Sequence, residues 1–102
     1  MCRQMFRGRN MALIVKKFGG SSVATTEKIM NVAKRVLSEK QPGDQIVMVV
    51  SAMGDTTDDL ITLANGITKD PYQYAREMDM LLTTGEQVSI ALLAMAFKSL
   101  GQ

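Results

Sequence analysis

The stretch Ile14-Val15-Lys16-Lys17-Phe18-Gly19-Gly20-Ser21-Ser22-Val23-Ala24 decides how this chain is read. An apolar run reaches Lys17 and Phe18, opens into two glycines and continues with two hydroxyls. A strand that ends on a cation and passes into bare backbone meets the needs of a phosphate site. The lysine supplies positive charge, the glycines let peptide N–H groups approach oxygens without a Cβ in the way, and a helix N-terminus beyond adds partial positive charge. Phosphoryl chemistry is the leading expectation. The pattern is neither common nucleotide fingerprint, because a P-loop places its lysine after the glycines and a dinucleotide fold needs a third glycine. Taken alone, the two glycines could equally make a tight strand-to-helix turn, with Lys17 a surface charge at the strand end.

Outward from this stretch, Ala12 to Phe18 reads as a strand. The consecutive Leu13, Ile14 and Val15 suit a strand covered on both faces. Ile29, Val32, Ala33, Val36 and Leu37 then recur at helical spacing, with Lys28, Lys34, Arg35 and Glu39 opposite, so Thr26 to Lys40 is an amphipathic helix that Pro42-Gly43 ends. Ile46 to Val50 is a second apolar run of strand length. Strand, helix, strand is a right-handed parallel βαβ unit. Its two strand ends, before Gly19 and before Ala52, lie at one sheet edge, where open α/β folds bind ligands. Ser51 and Thr57 are therefore expected near Lys17.

The remainder reads as helices. Gly54-Asp55-Thr56-Thr57-Asp58-Asp59 is a polar loop entering a helix with Leu60, Ile61, Leu63, Ala64 and Ile67 on its apolar side, and Asp58 and Asp59 suit its first turn. Asp70 caps a further helix with Pro71 at its first position and Tyr74, Met78, Leu81 and Leu82 as its buried stripe. Thr83-Thr84-Gly85 is expected to break that helix, Glu86 to open the last, and Gly101 to cap it toward another strand. The methionines, such as Met48, Met53 and Met78, read as core filler. The expected fold class is α/β: a partial parallel sheet with helices on both faces, ordered β-α-β-α-α-α. It is expected to be truncated, because two parallel strands make a poor sheet and the last helix is apolar nearly all round.

Composition removes whole classes of function. With 102 residues, 46% of them apolar, the chain is one modest domain or a piece of one. Cys2 is the single cysteine and histidine is absent. A disulfide framework, a thiolate metal cluster, zinc chemistry and histidine-based acid or base catalysis are thereby excluded or disfavoured, and no metal site is expected. The net charge is +2, of which Arg3, Arg7 and Arg9 supply three positive charges. The remainder is slightly acidic, with no basic patch interleaved with aromatics, so no nucleic-acid partner is expected. Residues 1–10 read as a disordered leader, with a phosphate-binding arm as a minor alternative, and Met11 begins the ordered part. No apolar stretch approaches the roughly 20 residues of a membrane span, and the first ten residues hold no secretory segment, so no membrane partner and a cytoplasmic setting are expected.

Three motifs together carry a resemblance. They are Lys17-Phe18-Gly19-Gly20-Ser21-Ser22-Val23, then Val49-Val50-Ser51-Ala52-Met53-Gly54-Asp55-Thr56-Thr57-Asp58, then Arg76-Glu77-Met78-Asp79-Met80-Leu81-Leu82-Thr83-Thr84-Gly85-Glu86-Gln87. In this order and at these separations the chain from Met11 to Gln102 resembles the N-terminal part of the catalytic domain of bacterial aspartate kinases, in the amino-acid kinase family. The resemblance implies that Lys17, with the Phe18-Gly19-Gly20 backbone, binds the phosphates of ATP, and that Lys17 is catalytic. It implies that Thr57 contacts substrate, that Glu86 holds the aspartate, and that Ser51 stands at the edge of the same cleft. It further implies L-aspartate and ATP as substrates, Mg²⁺ carried with ATP, an oligomeric full protein, and a missing second half of the kinase domain without which this polypeptide is inactive. Read from residue type alone, Glu86 could instead be a first-turn carboxylate opposing a helix dipole. Two alternatives stand beside the kinase reading: another member of the family with a different carboxylate or carbamate acceptor, and a non-catalytic split-gene remnant or assembly module.

Overall fold

The computed structural model describes residues 2–8 and 11–102, with side chains from residue 12 onward. Three strands, β1 (Cys2–Gly8), β2 (Met11–Phe18) and β3 (Gln45–Val50), form one sheet in the order β1-β2-β3. Three α-helices follow the chain as α1 (Thr26–Glu39), α2 (Thr56–Asn65) and α3 (Ala75–Ser99), with 3₁₀ turns at Gly20–Val23 and Pro71–Tyr74. β2 and β3 are parallel, in register from Leu13 opposite Gln45 to Phe18 opposite Val50, with α1 between them in sequence. The βαβ unit is the one expected.

Its helix forms for the reasons its sequence shows. The Thr25 hydroxyl accepts the Lys28 N–H at 3.2 Å as an N-terminal cap, and Ile29, Val32, Ala33 and Val36 bury one stripe. These residues join Phe18, Val23, Val50, Leu93 and Ala96 in one core, so α1 and α3 lie together on one face of the sheet. Each fully buried Ile, Val or Phe contributes about 1.5–3 kcal/mol, an upper estimate from area removed from water. Gly43, at φ 85°, turns the chain after α1, as expected of Pro42-Gly43.

Cover on both faces is found on only one. Ala12, Ile14, Lys16 and Phe18 point into the core, whereas Leu13, Val47 and Val49, on the opposite face, are 40%, 47% and 44% exposed. A consecutive apolar run shows what a strand is suited to bury. It does not show that the neighbouring 100 residues supply the cover.

Two other expectations differ from the structure. Cys2–Gly8, read as disordered leader, is a strand paired antiparallel with β2 from Cys2 opposite Lys17 to Gly8 opposite Met11. The free edge of β2 presents unpaired N–H and C=O groups, and a strand alongside satisfies them. Met1, Arg9 and Asn10 lie outside the described residues.

The expected break at Thr83-Thr84-Gly85 is also missing: α3 runs unbroken for 25 residues. The Thr83 and Thr84 hydroxyls donate back within the helix to the carbonyls of Asp79 and Leu81, each at 2.6 Å, and one glycine costs a helix only about 1 kcal/mol. The element order is therefore β-β-α-β-α-α. Asp70 precedes the Pro71–Tyr74 turn without a side-chain cap, and α3 begins only at Ala75. The continuous segment Pro71–Ser99 is long and apolar enough, by length and composition alone, to cross a membrane, yet Leu93 and Ala96 within it are core residues. Its C-terminus closes as expected at Gly101, φ 93°, with Gly101 N–H donating to the Lys98 carbonyl and Gln102 N–H to the Phe97 carbonyl. The predicted stripes of the helical part are only partly buried: Met78 is inside, whereas Leu63, Ile67 and Tyr74 are exposed.

Candidate active site

At the end of β2 the chain is extended through Gly19 and enters the 3₁₀ turn at Gly20. At the end of β3, Ser51 N–H donates to the Phe18 carbonyl at 3.2 Å, and Gly54 N–H donates to the Gly20 carbonyl at 3.0 Å. The two loops are thus zipped together just beyond the sheet. A Cβ on Gly20 would stand 2.9 Å from the Ala52 carbonyl oxygen and 3.2 Å from that of Gly54, so only glycine fits there. Gly54, at φ 46°, takes the left-handed conformation that brings its amide to Gly20.

The third segment arrives from α3. A Cβ on Gly85 would lie 3.0 Å from the Ala52 Cβ and 3.2 Å from the Thr56 Cγ2, so the helix packs closely on the loop entering α2. Ala52, 3% exposed, is where the three segments meet, its carbonyl against Gly20 and its methyl against Gly85. Neither Ala52 nor this use of Gly85 was readable from residue type. Alanine carries no chemistry, and glycine in that setting signals a break as readily as a contact.

The residues singled out by sequence are placed as follows. Lys17 is exposed on the sheet face opposite Phe18, in register with Val49. Its neighbour Lys16 is buried, 1% exposed, with its ammonium 2.6 Å from the Glu39 carboxylate, which also meets Arg35 at 3.3 Å. Hydrogen bonding from Lys16 first, and then from Arg35, holds the Glu39 carboxyl below its ordinary range. Of two adjacent lysines, one is consumed by the core and Lys17 is left at the loop edge. Ser51 is half-buried between the zipped loops, and Thr57 is exposed on the first turn of α2 beside Asp58 and Asp59. Glu86 is exposed in the middle of α3, eleven positions beyond its start at Ala75, so the first-turn alternative for this carboxylate falls away. Among the described residues no hydrogen bond joins Lys17, Thr57 and Glu86. The structure brings together the backbone segments that carry them.

The first N–H groups of the Gly20–Val23 turn have no partner within it, as at any helix start, whereas at the start of α2 the Thr56 N–H already donates to the Met53 carbonyl at 2.9 Å. One functional candidate escaped the sequence reading. Lys28, assigned there to the solvent face of α1, donates its ammonium to the Ser21 carbonyl at 3.2 Å. Together these features supply cations, free amides, hydroxyls and a carboxylate around adjoining loops, the equipment for binding an anion beside an ammonium-bearing substrate.

Comparison with known proteins finds relatives over nearly the whole chain. Residues 12–102 match the model of the family described as Amino acid kinase family. The aspartokinase of Bacillus sp. (strain MGA3) is 60% identical over 91 residues, which are 89% of this chain and 22% of that protein. Aspartokinase 2 of Bacillus subtilis (strain 168) is 58% identical over 91 residues, with the same shares. The crystal structure of aspartate kinase from Synechocystis superposes with a TM-score of 0.80 at 53% identity, over 88% of this chain and 15% of that one. The chain spans about a fifth of the length of the curated relatives it matches.

Proposed function

This chain belongs to the amino acid kinase family, and from that premise we propose that it is the N-terminal part of an aspartate kinase catalytic domain. In the complete enzyme the γ-phosphoryl group of ATP passes to the β-carboxylate of L-aspartate. The bond from the γ-phosphorus to the ADP oxygen breaks, a bond from that phosphorus to a carboxylate oxygen forms, and ADP leaves with the electron pair. The observation that supports this most is the junction at Ala52, which sets the glycine turn, the loop into α2 and the Gly85 segment of α3 against one another.

The chemistry asks little of a general base, because a β-carboxylate with a reference pKa of about 3.9 is already ionised at neutral pH. A chain without histidine is equipped for it. What the reaction needs is alignment of two anions and stabilisation of charge on the moving group. Lys17 and the N–H groups of Gly20 and Ser21 receive the phosphates, with Phe18 and Gly19 shaping the approach. Glu86 pairs with the substrate ammonium, Thr57 contacts the aspartate, and Ser51 lines the edge between them. ATP arrives with Mg²⁺; among the described residues no three His, Cys, Asp or Glu side chains gather to hold a resident metal. The rest of the kinase domain covers the exposed Leu13, Val47 and Val49 face and supplies the further contacts, so this segment is inactive alone. The whole protein is cytoplasmic and oligomeric.

The test is acceptor-specific turnover by the intact enzyme, read as hydroxamate after trapping with hydroxylamine. Aspartate is the expected acceptor; preference for another carboxylate or a carbamate would move the protein elsewhere in the family. Glu86→Gln is expected to raise the aspartate KM by about tenfold or more, the worth of a charge-assisted pair, with the ATP KM little changed. Equal effects on both constants would deny Glu86 its role.

A further inference from the structure

The turn after β2 has each of three consecutive carbonyls held by a donor. Ser22 N–H donates to Gly19 at 3.1 Å, Gly54 N–H to Gly20 at 3.0 Å, and the Lys28 ammonium to Ser21 at 3.2 Å. The C=O and N–H of a planar trans peptide point in opposite directions. Fixing the Gly19 and Gly20 carbonyls therefore aims the N–H groups of Gly20 and Ser21 to the other side of the turn, and fixing the Ser21 carbonyl keeps Ser22 N–H directed at Gly19. Of the three donors Lys28 alone is a side chain. We propose that Lys28 is a positioning residue for nucleotide phosphate, acting through the Ser21 carbonyl to preorganise the amides of the glycine turn. The proposal rests on the reading of that turn as the ATP phosphate site.

The place of Lys28 in its helix strengthens the case. It is the third residue of α1 after the cap Thr25, whose hydroxyl accepts its backbone N–H. A cation in the first turn faces the positive end of the helix dipole, and a glutamate or glutamine at this position would complete a capping box with Thr25. The helix dipole and the capping box thus favour glutamate or glutamine over lysine at this position, and the bond to Ser21 is what a lysine adds. The same face of α1 continues with Asn31 and Arg35, which line a cleft with Phe18, Ser21, Ser22 and Lys28 and without a carboxylate. Among the acceptors of that cleft, the Ser21 carbonyl is the one the Lys28 ammonium takes.

Lys28→Gln and Lys28→Arg in the intact enzyme separate positioning from mere support. Lys28→Gln is expected to weaken equilibrium ATP binding, measured without aspartate, by about three- to tenfold, the range of an exposed charge-assisted bond. The aspartate KM stays within about twofold, as the separation of the two substrate segments requires. Tm is unchanged or raised, because glutamine completes the capping box. Lys28→Arg restores ATP binding. An unchanged ATP Kd in Lys28→Gln overturns the proposal, as does a lowered Tm with both substrate constants raised together. If the wild-type enzyme binds ATP but does not phosphorylate aspartate, the acceptor assignment fails while the Lys28 comparison still reads on ATP Kd. A wild-type enzyme that binds no ATP overturns both.

Discussion

Gly20 and Gly85 touch the same loop, 65 positions apart in sequence, and do so for opposite reasons. Gly20 is a glycine because backbone meets backbone: a Cβ there would strike the Ala52 carbonyl, which cannot swing aside without breaking the zipped loops. Gly85 is a glycine because a helix packs side by side against small side chains, and its backbone is ordinary α-helix. A glycine at a strand end therefore marks a turn. One in an apolar helix can mark the point of closest approach to another element.

If this contrast is right, substitutions around the two glycines should separate by size and by which substrate they disturb. The largest effect belongs to the Gly20 side. Lys17→Ala in the intact enzyme is expected to lower kcat about 10²- to 10³-fold, the worth of a preorganised donor to the transferring group. Near-normal turnover would strip Lys17 of its role. Gly20→Ala is expected to destabilise by about 1–3 kcal/mol through overpacking against backbone, and to raise the ATP KM far more than the aspartate KM. A well-folded variant with unchanged ATP KM would mean that the turn has slack the structure does not show.

Gly85→Ala is the milder change. The helix gains about 1 kcal/mol in propensity while the added methyl crowds Ala52 and Thr56 at a cost of about 1–3 kcal/mol, so net stability falls by less than about 2 kcal/mol. Because Thr57 and Glu86 flank this contact, the aspartate KM should rise more than the ATP KM, the reverse of Gly20→Ala. Identical substrate profiles for the two variants would erase the distinction between them.

The smallest effect lies away from both glycines. The Glu39 carboxyl is held below its ordinary value of 4.5 by Lys16 and Arg35. A depressed folded value contributes stability that is present above 4.5 and is lost as pH falls through the folded value. Thermal melts of wild type and Glu39→Gln should differ at neutral pH and converge in acid; a constant difference would show that Lys16 does not depend on the charge of its partner.

The contrast also explains what was legible in the sequence. The βαβ unit was, because the Ile29, Val32, Ala33, Val36 stripe and the Pro42-Gly43 stop agree locally, and local agreement is what periodicity reads. Lys16 and Lys17 are the same residue type side by side, and it is the folded strand, burying Lys16 against Glu39 and leaving Lys17 exposed, that separates them. The helix break at Gly85 was misread because the contact that explains this glycine comes from Ala52 and Thr56, more than 25 positions earlier. The pairing of Cys2–Gly8 with β2 was missed because it depends on an available sheet edge rather than on any strong pattern in those residues. Lys28 was missed for the same kind of reason: on a helical wheel it is one more charge on the polar face, and only the folded turn brings a carbonyl to it.

The central claim is that the glycine turn and the Gly85 segment serve one site. The most direct measurement is a crystal structure of the intact enzyme with L-aspartate and a nonhydrolysable ATP analogue. The account predicts phosphate oxygens on the Gly20 and Ser21 amides and on Lys17, the aspartate ammonium on Glu86, and the β-carboxylate between them. Aspartate bound to a surface that includes neither Thr57 nor Glu86, or phosphates remote from Gly20, would contradict it.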